Sequence, residues 1–300
     1  MNQTNILDLR PLSIAELFDR SFRLYRKHFG TFLSIMVITQ LPIYLFGVAT
    51  ASAENSTTSA TLGIVTSILT LIFTQVGAAV LTKSVSDSYL GRKIDFRQSF
   101  KRIGGTWFTL IFATILAALV IVGLLLPFFC IFSVIFPPVS SGMSNLVIRS
   151  FIYLLIIVIV LAFGNVLFSL IPPVVVLEKK GPVDSLKRAW ELAKKRYWWS
   201  FGYLSLLILL SIMVISGSTL IILFVLNRVF DNPSILYRTI AVDTASSLFS
   251  AIFMPIRLAA ITLMYFDLRV RFEGFDLMVL SAADDTLIDD ASNLTTKRSL

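Results

Sequence analysis

One cysteine, Cys130, and one histidine, His28, stand in 300 residues. A single cysteine excludes an internal disulfide and a cysteine-based metal site. A single histidine excludes a multi-histidine metal centre. Charge is scarce as well: 15% of residues are charged, against about a quarter in a soluble domain. The common catalytic signatures are missing: no glycine loop ending in Lys-Ser/Thr, no His-Glu-x-x-His, no Gly-x-Ser-x-Gly. Acidic side chains lie almost wholly outside the apolar runs. The opening also lacks the form of a cleavable leader, because charges are scattered through it and no short apolar core meets a small-residue cleavage site. The first apolar run is therefore expected to act as the targeting signal.

What the chain has instead is oil. Apolar residues make up 56%, and mean hydropathy is +0.83. Six long apolar runs cover 31–51, 60–82, 107–136, 148–177, 200–226 and 240–266, and about 18 residues suffice to cross a bilayer as a helix. Barrel strands alternate apolar and polar positions, and "FIYLLIIVIVLAFGNVLF" does not. In lipid each backbone amide of such a run must be paired within its own helix. The expected fold is an all-α membrane protein with six transmembrane helices, one domain over 1–280. The last stretch, 281–300, has little apolar content and reads as a disordered cytoplasmic tail.

The cations are placed unevenly. Of 26 Lys and Arg residues, five precede position 31, six lie between the second and third runs, seven between the fourth and fifth, and four follow Phe266. The other connections hold only Arg228 and Arg238, and Arg149 and Arg257 lie at the edge of or inside runs. Cytoplasmic loops carry the excess of Lys and Arg, so both termini are expected in the cytoplasm and the chain in a bacterial inner membrane.

Three basic stretches resemble one another: "DRSFRLYRKHFGTFL", "RQSFKRIGGTWFTLI" and "SLKRAWELAKKRYWWSFGY". Each holds serine, then Phe or Leu, then a cation: Ser21-Phe22-Arg23, Ser99-Phe100-Lys101, Ser185-Leu186-Lys187. Repetition of this kind reveals architecture. The unit is a short basic helix, a span, an outside turn and a returning span, used three times. The short helices are expected over about 13–28, 95–103 and 182–197, and local signals support them. Ser13 with Glu16 forms a capping box and Leu12 with Leu17 a hydrophobic staple; Asp95 with Gln98 offers a similar cap. Pro182 suits a first helical position. Ile14, Phe18, Phe22, Tyr25 and Phe29 are expected on one apolar face, and Val183, Leu186, Trp190, Ala193 and Tyr197 on another.

Basic amphipathic helices with aromatic residues, fused to spans, suit the membrane interface. The expected contacts with anionic lipid heads are Arg23, Lys101, Arg102, Lys187, Arg188, Lys194, Lys195 and Arg196. Nucleic acid is not an expected partner, since no reader motif is present. Arg257 stands apart, ten residues before Asp267, or about 15 Å along a helix. A cation at that depth needs a cavity or polar partner; Gln40, Gln75 and Asn165 are the side-chain candidates, and the backbone carbonyl that Pro255 frees is another. Its functional reading is an anion or headgroup contact, its structural reading a hub between spans. Pro42, Pro127, Pro172, Pro173 and Pro255 also lie inside runs.

The segments "LRPLSIAELFDRSFRLYRKHFGTFL", "IPPVVVLEKKGPVDSLKRAWELAKKRYWWSFGY" and "MYFDLRVRFEGFDL" resemble the membrane-domain type of the bacterial glycerophosphoryl diester phosphodiesterases, over most of 9–278. That resemblance implies several helical spans with cytoplasmic amphipathic segments. It carries over no catalytic residue, because His28 is followed by Phe29 and Gly30 rather than by the His-Arg-Gly motif of the hydrolase part.

The expected function is non-catalytic: a membrane scaffold or accessory protein that organises anionic lipids, a membrane-protein partner or further copies of itself, with no cofactor. The alternative is a transporter or flippase-like protein for an anionic amphiphile, suggested by Arg257 and the proline-interrupted spans.

Overall fold

The computed structural model describes residues 11–53, 55–92, 94, 96–135, 143–230, 234–275 and 277. Within them the chain forms nine helices and no strand. They are α1 (Ile14–Lys27), α2 (Phe29–Ala51), α3 (Ser56–Tyr89), α4 (Phe96–Ile103), α5 (Thr106–Ile135), α6 (Met143–Glu178), α7 (Pro182–Lys195), α8 (Tyr197–Val229) and α9 (Ile235–Glu273). The order short, long, long runs three times, as the repeated serine motif predicts. The six long helices are each apolar enough to cross a membrane, which makes this a multi-pass architecture. Each expected span lies inside one of them, except that position 136 falls outside the described residues, as do Asp95 and 281–300.

Local chemistry sets the boundaries. The Ser13 side chain accepts from the Glu16 amide and the Glu16 carboxylate accepts from the Ser13 amide, so α1 begins on the expected capping box. Pro182 opens α7, where its fixed φ fits and its missing N–H is no loss. His28, Gly104 and Arg196 each break the chain between a short helix and the span that follows. The returning helices α3, α6 and α9 also end alike, each followed by a left-handed residue: Gly91 at φ 71°, Lys179 at φ 52° and Gly274 at φ 59°. Glycine adopts this conformation freely, whereas a residue with a Cβ loses about 1–2 kcal/mol there.

The core lies toward the end where the short helices gather. Buried positions cluster in Gly77–Asp87 of α3, in Val166–Val176 of α6 and in the last 20 residues of α9. α9 is the central helix, in contact with α1, α2, α3, α6, α7 and α8. Small residues permit this approach: Ala259, Ala260 and Thr262 are fully buried. On α3, a Cβ added to Gly77 would meet Thr39 Oγ1 at 3.0 Å and Met36 Cε at 3.1 Å, so glycine sets the α2–α3 distance. Outside this core the long helices carry large apolar side chains on their surface, among them Phe112, Leu119, Phe128, Phe151, Ile212 and Phe224. A belt of this extent on an isolated soluble chain would be an aggregation surface; lipid tails cover it without cost.

The short helices pack differently from the sequence expectation. The buried face of α1 is Leu17, Ser21 and Tyr25, with Phe22 and Phe29 exposed. That of α7 is Ser185, Ala189, Leu192 and Ala193, with Val183 and Trp190 exposed. Only part of each expected stripe faces inward. Leu17, Tyr25 and Leu192 fill these contacts beside the small Ser21, Ser185, Ala189 and Ala193, while Phe22 and Trp190 turn outward. The repeated serine is the common element: Ser21, Ser99 and Ser185 are all buried, while the cation two positions later, Arg23, Lys101 or Lys187, is exposed.

Candidate functional site

Each returning helix delivers carboxylates to the basic end, and each is met by cations. Glu178, the last residue of α6, accepts from Arg188 Nε on α7 at 3.1 and 3.2 Å and from the Tyr265 hydroxyl of α9 at 2.8 Å. Lys180 Nζ stands 3.1 Å from it. Arg188 also donates to Glu273 at 2.7 Å, and Arg269 donates to Glu273 at 3.1 Å and to Tyr265 at 3.3 Å. Burial works against the Arg188 charge, but the hydrogen bond it donates to Glu273 and the field of Glu178 more than offset it and hold its pKa above the ordinary arginine value. This network joins α6, α7 and α9.

Asp267, whose side chain is wholly buried, forms a second cluster. It accepts from the Leu12 amide at 2.6 Å and from Arg271 Nε at 2.8 Å. Arg271 in turn donates to the Leu12 carbonyl at 2.7 Å. The segment leading into α1 is thereby fastened to α9. Arg196 approaches Asp267 at 4.0 Å and stacks over Trp199 at 4.3 Å. Burial, then the nearby Arg271 guanidinium, lower the Arg196 pKa, and Asp267 opposes them.

The third cluster belongs to α3. Lys83 and Arg92 stand 3.0 and 3.6 Å from Asp87, and Ser84 donates to Ser99 at 3.1 Å, tying α4 to α3. Beside these clusters lies a cavity of about 330 Å³ where α3, α4, α5, α6 and α9 converge. Among the described residues four cations line it: Lys83, Arg92, Lys179 and Arg269. Ser86 and Thr106 add hydroxyls, and Ile103, Leu177, Phe266 and Phe275 form apolar wall. Among the described residues no carboxylate lines it. Chemically it suits an anion with an apolar continuation.

The expected contact residues divide into two groups. Lys101, Lys187, Lys194 and Lys195 are exposed, with Lys195 Nζ 5.5 Å from the Phe272 ring. Arg23 is exposed and pairs with Asp19 at 3.0 Å. Arg188 and Arg196 turn inward, into the networks just described. The Arg102 side chain lies outside the described residues. Arg257 on α9 has no hydrogen-bond or ion-pair partner among the described residues, and Gln40 and Gln75 likewise form no hydrogen bond there; Asn165 accepts only from Ser169 of its own helix, at 3.4 Å. The structure thus brings Arg257 together neither with its three expected side-chain partners nor with a carbonyl freed by Pro255 among the described residues. Gln40 instead lines a groove of about 170 Å³ between α2 and α9, beside the Tyr44–Thr244 hydrogen bond of 2.7 Å.

Sequence reasoning missed the cavity. In the sequence its cations read only as charge in connections and in the C-terminal stretch, and their convergence depends on long-range packing. One local signal was available: Lys179 follows a span where a glycine would end the helix more easily. Among the described residues no group of three or more His, Cys, Asp and Glu side chains is placed to hold a metal ion.

Comparison with known proteins finds no match among curated proteins and none among solved structures. One family matches, over residues 31–268, from the third residue of α2 to the C-terminal part of α9. The match takes in all six long helices and covers well over half of the chain, so the protein belongs to the family described as "Domain of unknown function (DUF7847)".

Proposed function

We propose that this protein is a non-catalytic scaffold of the bacterial inner membrane, with both termini in the cytoplasm, that gathers anionic lipids at its basic face. The observation that carries the reading is the outer surface of α7 and the start of α8. Lys187, Lys194 and Lys195 are exposed there beside Trp190 and Trp198, which are 51% and 73% accessible. Aromatic rings at headgroup depth beside lysines suit an anionic leaflet, and each cation near such a surface contributes about 1 kcal/mol. The experiment is lipid enrichment around the protein in nanodiscs of mixed phosphatidylcholine and phosphatidylglycerol. Phosphatidylglycerol is expected to be enriched, and the triple variant Lys187→Gln, Lys194→Gln, Lys195→Gln to lose much of that enrichment. Equal recruitment of both lipids by the unaltered chain would end the lipid reading.

A second reading, a carrier for an anionic amphiphile, is favoured by Arg257, a cation inside a span without a partner among the described residues. Such residues commonly mark pathways. Arg257→Leu is expected to abolish flux of a labelled anionic lipid in proteoliposomes; a folded variant with full flux would remove this reading.

A further inference from the structure

Lys179 is out of step with the two residues that share its place in the threefold repeat. The left-handed position after the returning helix is Gly91 in the first unit and Gly274 in the third, but lysine in the second. Residues held in unfavourable backbone regions concentrate at sites where their side chain has a task. The Lys179 side chain is exposed, has no partner among the described residues, and stands on the wall of the basic cavity. The other three cations there are only partly neutralised. Lys83 and Arg92 share Asp87, and Arg269 shares Glu273 with Arg188. Among the described residues two carboxylates behind the wall face four cations on it, leaving positive charge in excess there.

From these features we infer that the cavity is a discrete site for one anionic phosphoester group, with Lys179 as its capturing cation. Its volume lies at the lower end of the about 300–1,000 Å³ usual for small-molecule sites. Ser86 and Thr106 can donate to phosphate oxygens, and Leu177, Phe266 and Phe275 receive an apolar continuation. A zwitterionic choline headgroup is disfavoured, because its ammonium would sit among four cations. An anionic phospholipid and a soluble phosphate monoester present the same chemistry to the site. The inference deepens the proposed lipid-gathering role, yet it concerns one stoichiometric ligand rather than a diffuse surface.

The test uses the full chain in phosphatidylcholine nanodiscs, titrated in one arm with dihexanoyl phosphatidic acid and in the other with glycerol 3-phosphate. Binding is read by native mass spectrometry and thermal shift. The unaltered chain is expected to hold one phosphate ligand saturably. Lys179→Gly is expected to weaken it about tenfold or more, as loss of a charge-assisted hydrogen bond implies, while unfolding at the same or a higher temperature because the left-handed strain is relieved. The lysine-to-glutamine triple variant of α7 is expected to keep this one ligand. Binding in the lipid arm alone identifies a headgroup; binding in both arms identifies the phosphate itself. Unchanged affinity in Lys179→Gly, or no saturable binding in either arm, overturns the inference. Diffuse phosphatidylglycerol enrichment would survive that result, and its absence would not erase a single saturable ligand.

Discussion

Asp267 is the residue on which the N-terminal attachment turns. Its buried carboxylate neutralises Arg271, approaches Arg196 and accepts the Leu12 amide. Removing one partner of a buried pair costs about 3–5 kcal/mol, and the partial exposure of both arginines puts Asp267→Ala at the low end, about 3 kcal/mol. Unfolding in mild detergent, followed by circular dichroism, measures this. His28, at the α1–α2 break, gives a pH-dependent counterpart. Burial, then Lys27, push its pKa below the ordinary 6.5. The folded state therefore favours the neutral ring: the stabilisation is present above that ordinary value and is lost as pH falls through the lowered one. The melting temperature is expected to decline in that acidic window, less so in His28→Asn. At this scale the sequence was partly legible. Asp267–Arg271 and Arg269–Glu273 stand at the i,i+4 spacing that pairs side chains on a helix, and both pairs form. The contact from Asp267 to Leu12 crosses almost the whole chain and has no local signature.

Among the elements, the short helices teach most about what pattern can and cannot reveal. Their existence, their caps and their threefold recurrence follow from capping chemistry and repeated words. Their orientation did not, because a hydrophobic stripe marks an inward face only when water is the alternative. Where lipid covers the outer side both faces can be apolar, and on α7 the small Ser185 and Ala189 go in with Leu192 while Trp190 stays out. Enlarging the buried serine is therefore expected to be worse than trimming the tryptophan. Ser185→Leu overpacks the α7 contact and should destabilise by about 1–3 kcal/mol, whereas Trp190→Ala should leave the detergent melting temperature nearly unchanged and weaken lipid association. The same experiment at Gly77, as Gly77→Leu, should separate α2 from α3 and lower thermal stability, since the added Cβ alone meets Thr39 and Met36.

For the molecule as a whole, hydropathy fixed the number of long helices and charge asymmetry suggested their orientation. The cavity escaped because it needs five elements at once. Orientation is open to cysteine labelling in a Cys130→Ser background. Ser99 and Ser185 are buried and would label poorly, so the neighbouring exposed positions serve better. Lys101→Cys and Lys187→Cys are expected to react from the cytoplasmic side, and Ser56→Cys, exposed at the far end of the bundle, from the opposite side. Lys101→Cys and Lys187→Cys reacting from different sides would overturn the orientation and the lipid-facing role built on it.

The Leu12–Asp267 clasp has a consequence for biosynthesis. α1 has its main packing partner in α9, with only slight contact to α2 and α3. During translation, then, α1 leaves the ribosome well before its partner and has nowhere to settle until the α8–α9 hairpin has been inserted. Nascent chains stalled before α9 should leave α1 open to protease digestion, and chains extended past α9 should close it, so that insertion of the α8–α9 hairpin is itself the step that latches the bundle.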